Sequence, residues 1–277
     1  MLWRGRQGSS NVNDRRGVSG GGIAAGGGVG AIIIALLYMF LGGDPSQAPQ
    51  LLPGQNSGRQ LSAEEQAAED TMFKFIEVVL QETEDMWNST LQNYQEPQLD
   101  IFRGSVQSGC GGASSASGPF YCPADNKIYI DLSFYDDLRN RFGAPGDFAM
   151  AYVVAHEVGH HVQNLLGTSD KVQQMRQRLS ETDYNKLSVK LELQADFYAG
   201  VWAHYAQNRS KILERGDIEE ALTAANAIGD DRLQKQSQGH VTPDAFTHGT
   251  SAQRMYWFKK GFETGDINQG NTFESDL

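Results

Sequence analysis

From residue 61 onward, apolar residues recur three and four apart, the spacing of amphipathic helices. The pattern predicts helices over residues 61–94, 134–142, 149–166, 170–178, 184–208, 218–236 and 251–262. The first opens on Ser62-Ala-Glu-Glu65, which has the form of a capping box. Two short stretches follow the period of two instead. Residues 99–106 read as one strand. In 127–132, Ile128, Ile130 and Leu132 share one face while Tyr129 and Asp131 share the other. The tail from Gly265 is polar, and 266–277 is expected to be disordered. Helix dominates over a small sheet, so the fold class is α+β.

The N-terminus has a different pattern. Residues 17–43 carry no charge, and 23–41 form a 19-residue stretch that is most apolar from Val29 on. That is close to the ~20 residues a helix needs to cross a bilayer. Arg4, Arg6, Arg15 and Arg16 precede it against a single acid, Asp14, which favours a cytoplasmic N-terminus. The Gly-rich first half also suits a signal peptide, but Gly42-Gly-Asp-Pro-Ser46 offers no small-residue cleavage site. The expected layout is a cytoplasmic segment (1–22), a transmembrane signal anchor (23–43), a flexible linker (44–60), a catalytic domain (61–265) and the tail (266–277). The linker follows from its Pro, Gly, Gln and Ser content.

Charge and cysteines narrow the partners. The 277 residues suffice for one large domain with appendages. Lys and Arg number 23 against 34 Asp and Glu; setting aside the four Arg and one Asp up to Gly43 leaves 19 against 33. So acidic a domain is a poor partner for nucleic acid. Cys110 and Cys122 enclose a loop rich in Gly and Ser, and a disulfide there suits an exported domain. Zinc binding by these cysteines fits less well, because their spacing is not C-x-x-C.

Chemistry concentrates in His156-Glu157-Val158-Gly159-His160-His161. Its first five residues match H-E-x-x-H. On a helix, residues four apart stand above one another, so His156 and His160 can aim two imidazoles at one zinc ion, with Glu157 beside it as general base. The flanks, Met150-Ala-Tyr-Val-Val-Ala155 and Val162-Gln-Asn-Leu-Leu166, are apolar, so these polar groups are buried and need partners. Asp147 is the expected N-cap and Gly167 the C′ residue. His161 lies about 100° around the helix from His160 and should not share the metal. His240, in a polar stretch, reads as surface. A catalytic zinc needs a third protein ligand. The metzincin continuation would require Gly at 163 and His at 166, where this chain has Gln163 and Leu166. Glu192 and Asp196, four apart on the next long helix, offer one carboxylate for the metal and one to orient a ligand histidine.

These motifs resemble the gluzincin arrangement of metallopeptidases. More narrowly they resemble the membrane-anchored bacterial family of neutral zinc metallopeptidases. The similar stretches are His156-Glu-Val-Gly-His-His-Val-Gln163, Glu192-Leu-Gln-Ala-Asp-Phe-Tyr-Ala-Gly200, Gly118-Pro-Phe-Tyr-Cys-Pro-Ala-Asp125 and Thr247-His-Gly-Thr-Ser-Ala-Gln-Arg254. The resemblance implies a zincin-like domain with Zn²⁺ on His156, His160 and Glu192, Glu157 as base, and Asp196 behind the ligands. It also implies a bacterial inner-membrane protein with one transmembrane helix and a periplasmic domain acting on a peptide or protein. In gluzincins the extended substrate lies along an edge strand, for which 127–132 is the candidate; an interior strand is nearly as good a reading of the same residues. His248 is the candidate stabiliser of the transition state, with Arg254, Tyr198 and His204 competing. Two other functions remain open: a zinc amidase acting on cell-wall peptide, and a non-catalytic membrane-tethered binding module. Retention of Glu157 counts against the second.

Overall fold

A computed structural model describes residues 1–17 and 61–275. Over these the chain is helix-rich α+β with two small sheets. Strand β1 (Val12–Asp14) is followed by helix α1 (Ala63–Thr90), whose N-cap Ser62 and N3 residue Glu65 form the expected capping box. Next come β2 (Gln98–Phe102) and the hairpin β3 (Ser105–Ser108) and β4 (Gly111–Ser114). The predicted single strand over 99–106 thus breaks in two, turning at Gly104 with φ +78°. Strands β5 (Phe120–Cys122) and β6 (Lys127–Asp131) complete the larger sheet, ordered β1-β2-β6-β5 with only β5 antiparallel to its neighbour.

The two-residue period sorts β6 as expected. Ile128, Ile130 and Leu132 enter the main core, while Tyr129 joins Phe102, Val106 and Cys122 in a second cluster on the other face. The strand is interior, however, paired on one side to β2 and on the other to β5. The edge beside the H-E-x-x-H helix is therefore Phe120–Cys122, and the expectation that residues 127–132 form that edge is corrected. Three residues after a Gly-Pro turn carry too little periodicity to show as a strand in sequence.

The disulfide Cys110–Cys122 ties the β3–β4 hairpin to this edge. A loop of this size is worth about 3 kcal/mol through the unfolded chain. Replacing both cysteines by Ser is expected to lower unfolding free energy by about that amount in urea titration, and reductant should do the same to the native chain.

The helical half holds α2 (Ser133–Asn140), α3 (Asp147–Leu165), α4 (Thr168–Met175), α5 (Glu181–Tyr205), α6 (Asp217–Ala227), α7 (Asp230–Gln238) and α8 (Ser251–Thr264). Gly146, not Asp147, caps α3; Gly167 is the αL residue just past its end, as expected. The helix predicted over 218–236 divides at Gly229, where any Cβ would stand 2.4 Å from the Ser251 nitrogen. The segment 266–275 is ordered: one 3₁₀ turn packs against α8 and the next against α5, with Thr272 fully buried and its hydroxyl donating to Lys190 O.

The membrane helix and the single-pass inner-membrane placement are corrected. No helix among the described residues is long and apolar enough to cross a membrane. Residues 23–43 lie outside the described residues. The chain on either side of them, moreover, enters one sheet, β1 pairing with β2 through Val12–Leu99, Asn13–Asp100 and Asp14–Ile101. Arg15 adds an ion pair to the buried Asp100, and Ser9 donates to the buried Glu84. Adjacent strands occupy one side of a bilayer, so a lone crossing between them cannot put the N-terminus in the cytoplasm and the domain outside.

Candidate metal centre

Three local features bring the chemistry together. Helix α3 is buried almost throughout, which forces its polar side chains to find partners. Gly159, inside the H-E-x-x-H turn, packs on α5: a Cβ there would stand 3.1 Å from both Cα and O of Ala195. That close approach sets His156 and His160 alongside Glu192 and Asp196. Farther along α5, Gly200 and Gly261 let α5 and α8 touch backbone to backbone. A Cβ on Gly200 would fall 2.0 Å from Phe258 O, and one on Gly261 would fall 2.1 Å from Phe197 O. This contact brings Arg254 up to Asp196.

The Nε2 atoms of His156 and His160 are 3.1 Å apart. Glu192 Oε2 lies 3.2 Å from His156 Nε2, and Oε1 lies 3.4 Å from His160 Nε2. A tetrahedral zinc with arms of about 2.0–2.1 Å needs ligand atoms about 3.3–3.4 Å apart; the two imidazole nitrogens stand slightly closer than that and the carboxylate turns a different oxygen to each, so the three side chains surround a space of about that size. The donor set, two imidazoles and a carboxylate, is that of hydrolytic zinc sites. On the outer side, Asp196 Oδ1 accepts from His156 Nδ1 at 2.8 Å, leaving the Nε2 lone pair to face the centre. Asp196 in turn accepts from Tyr152 OH at 2.5 Å and from Arg254 Nε and Nη2 at 2.8 and 2.9 Å. His160 Nδ1 meets Gln163 Oε1 at 2.9 Å.

Burial disfavours charge on every one of these groups, and their neighbours overcome it. The Asp196 and Glu192 carboxylates raise the His156 pKa; Glu192, followed by Glu157, lifts His160 to about 9. Against its own desolvation, Glu192 is held well below the usual carboxylate range by His160 and His248. Arg254 and His156 likewise take Asp196 down to about 2. The carboxylates around the two imidazoles therefore favour positive charge there.

Glu157 lines a cleft of about 610 Å³ together with the three converging residues. Its carboxylate makes no hydrogen bond or ion pair with another described residue. The cleft wall runs from Gly118–Tyr121 at the edge strand to Val172 and Gln173 of α4, and on to Ile228, Leu233 and His248. His248 is half exposed there, with Nδ1 3.3 Å from Asp230. Desolvation lowers its pKa, but Glu192 and Asp230 outweigh that and raise it. Of its competitors, Arg254 also reaches the cleft, but its guanidinium is spent on Asp196 and Tyr152. His204 bonds to Phe262 O and Tyr198 packs on Trp87; neither lines the cleft. His161 points elsewhere, its nitrogens on Tyr121 OH and Gln95 O, and His240 is exposed.

Sequence reasoning gave no role to Tyr152 and used Gln163 only to exclude metzincins. The available signal was polarity within an apolar helix at positions −4 and +3 from the two histidines. A second group of acids, Asp147, Asp217 and Glu220, also converges at the start of α3. It faces the Met1 ammonium, which lies 3.1 Å from Asp147, 3.3 Å from Asp217 and 2.9 Å from Glu214.

The chain is 50% identical over 288 aligned positions to "Uncharacterized protein YpfJ" of Escherichia coli K12, covering all of both chains. It is 46% identical over 200 positions to "Uncharacterized protein Rv2575" of Mycobacterium tuberculosis H37Rv, covering 69% of this chain and 67% of that one. "Uncharacterized protein Mb2605" of Mycobacterium bovis matches to the same extent. No solved structure matches. The family model described as "Putative neutral zinc metallopeptidase" matches residues 1–273, and the chain belongs to that family.

Proposed function

We propose that the protein is a zinc-dependent peptidase, with His156, His160 and Glu192 as the metal ligands and Glu157 as the general base. One observation carries this: ligand atoms of His156, His160 and Glu192 converge within 4.8 Å of one another on the wall of a cleft that Glu157 also lines. Zinc, when bound, supplies Lewis acidity toward a water and the scissile carbonyl. Glu157 accepts the proton of the attacking water and returns it to the leaving amine. Asp196 holds His156 in the tautomer that presents Nε2. His248 offers an N–H toward the negative charge that develops on the carbonyl oxygen. The free side of β5 gives an extended substrate main-chain partners, which suits a peptide. A catalytic role accounts for Glu157, a buried acid that makes no hydrogen bond or ion pair among the described residues; a binding module has no use for it.

The test is metal analysis of the purified full chain. Wild type should hold one zinc per chain and Glu192→Ala far less, with peptide hydrolysis lost in parallel. A wild-type protein that takes up no zinc on reconstitution, or a Glu192→Ala variant with full zinc content, would overturn the assignment.

A further inference from the structure

The two histidines are backed differently. His156 has a charged acceptor, Asp196, itself held by Arg254. His160 has a neutral one, the Gln163 amide, on a residue with no solvent exposure. The orientation of that amide is fixed by its other end. Gln163 Nε2 donates to Leu191 O at 2.7 Å and to Gln194 Oε1 at 3.1 Å. Both partners are acceptors, so Oε1 is the atom that faces His160, and it can only accept. Gln194 is anchored in turn, its Nε2 donating to Gly270 O in the ordered C-terminal segment at 2.9 Å.

We infer that Gln163 is a positioning residue that holds His160 in its Nδ1–H tautomer and fixes α3 against the stretch of α5 that carries Glu192. This rests on the metal assignment above. Leu191, whose carbonyl Gln163 grips, is the residue just before Glu192. One side chain therefore joins the imidazole on one helix to the backbone beside the carboxylate on the other. Without the Oε1 acceptor, His160 can equally carry its hydrogen on Nε2, where it blocks the lone pair a metal needs. Without the Nε2 donor, Leu191 O and Gln194 Oε1 lose a buried partner and the helices lose a tie.

The experiment measures zinc affinity of the full chain by competition with a chromophoric chelator for wild type, Gln163→Met and Gln163→Glu, with circular dichroism to verify folding. Met keeps the volume and offers His160 no such acceptor. Glu keeps the length, volume and an oxygen acceptor for His160 Nδ1–H. The expected result is a zinc Kd raised about 10–100-fold in Gln163→Met, the usual cost of losing a group behind a ligand, and within a few-fold of wild type in Gln163→Glu. Wild-type affinity in folded Gln163→Met overturns the inference, as does an equal loss in both variants, which marks packing alone. If Gln163→Met does not fold, Gln163→Glu decides against wild type: affinity within a few-fold supports the inference, and a tenfold loss overturns it. A wild-type chain that binds no zinc instead sinks the metal assignment.

Discussion

Glu157→Gln is expected to lower kcat for peptide hydrolysis by about 10²–10⁴-fold while leaving zinc content at the wild-type level. The substitution is nearly isosteric, and no hydrogen bond or ion pair of Glu157 to another described residue is lost. The fold and the three converging atoms should persist. What goes is the one group placed to take a proton from the attacking water, since an amide cannot accept it. Glu157 is not among the converging ligand atoms, so metal and chemistry separate in this variant. They fall together in Glu192→Ala. Metal analysis beside a peptide assay distinguishes the two patterns. A Glu157→Gln protein that cleaves at wild-type rate would move the base elsewhere, and one that loses its zinc would make Glu157 a ligand. Because the amidase alternative uses the same base, the assay should also include a cell-wall peptide.

Much of the centre was legible because it is local. The four-residue spacing of His156 and His160, and again of Glu192 and Asp196, puts each pair on one helical face wherever the helices go. The period of two in 128–132 likewise sorted side chains correctly between two clusters. What escaped was non-local. The sequence Val12-Asn-Asp14 is short and polar, and nothing in it announces a parallel partner at Leu99–Ile101. Hydropathy at 23–43 therefore suggested a topology that strand pairing on either side of it excludes. The edge strand was missed because pairing, not periodicity, decides which strand lies outermost. Gln163 acquires meaning only once α3 is docked on α5, and Arg254 only once α8 is, through glycine contacts that sequence alone does not pair. The C-terminal segment is polar in composition yet ordered, because its backbone carbonyls receive Lys190 and Gln194. Polar composition marks solvation only when the neighbouring surface offers no donors.

Arg254→Met is expected to be the most destabilising single change at the centre, costing about 3–5 kcal/mol at neutral pH. Arg254 and Asp196 are 2% and 0% exposed, and the guanidinium makes two hydrogen bonds to the carboxylate and one to Tyr152 OH. Removing one partner of such a pair strands the other charge where water cannot reach it. Met roughly replaces the apolar stem, so the loss reflects charge rather than volume. The pH dependence carries the proof. Burial pushes Asp196 up, but Arg254, followed by His156, brings it down to about 2, below the ~3.9 of an unfolded chain. A depressed carboxylate pKa gives stability that is complete above about pH 4 and is lost as pH falls through about 2. Without Arg254 the folded pKa of Asp196 rises, so protonation relieves the stranded charge at a higher pH. The variant's deficit should then shrink between pH 7 and pH 4 in urea titrations of the full chain, with chelator present at both so that metal release does not contribute. A deficit of equal size at both pH values would assign the loss to packing. In that case Asp196 is held by His156 and Tyr152 alone, and the α5–α8 contact serves the fold without serving the site.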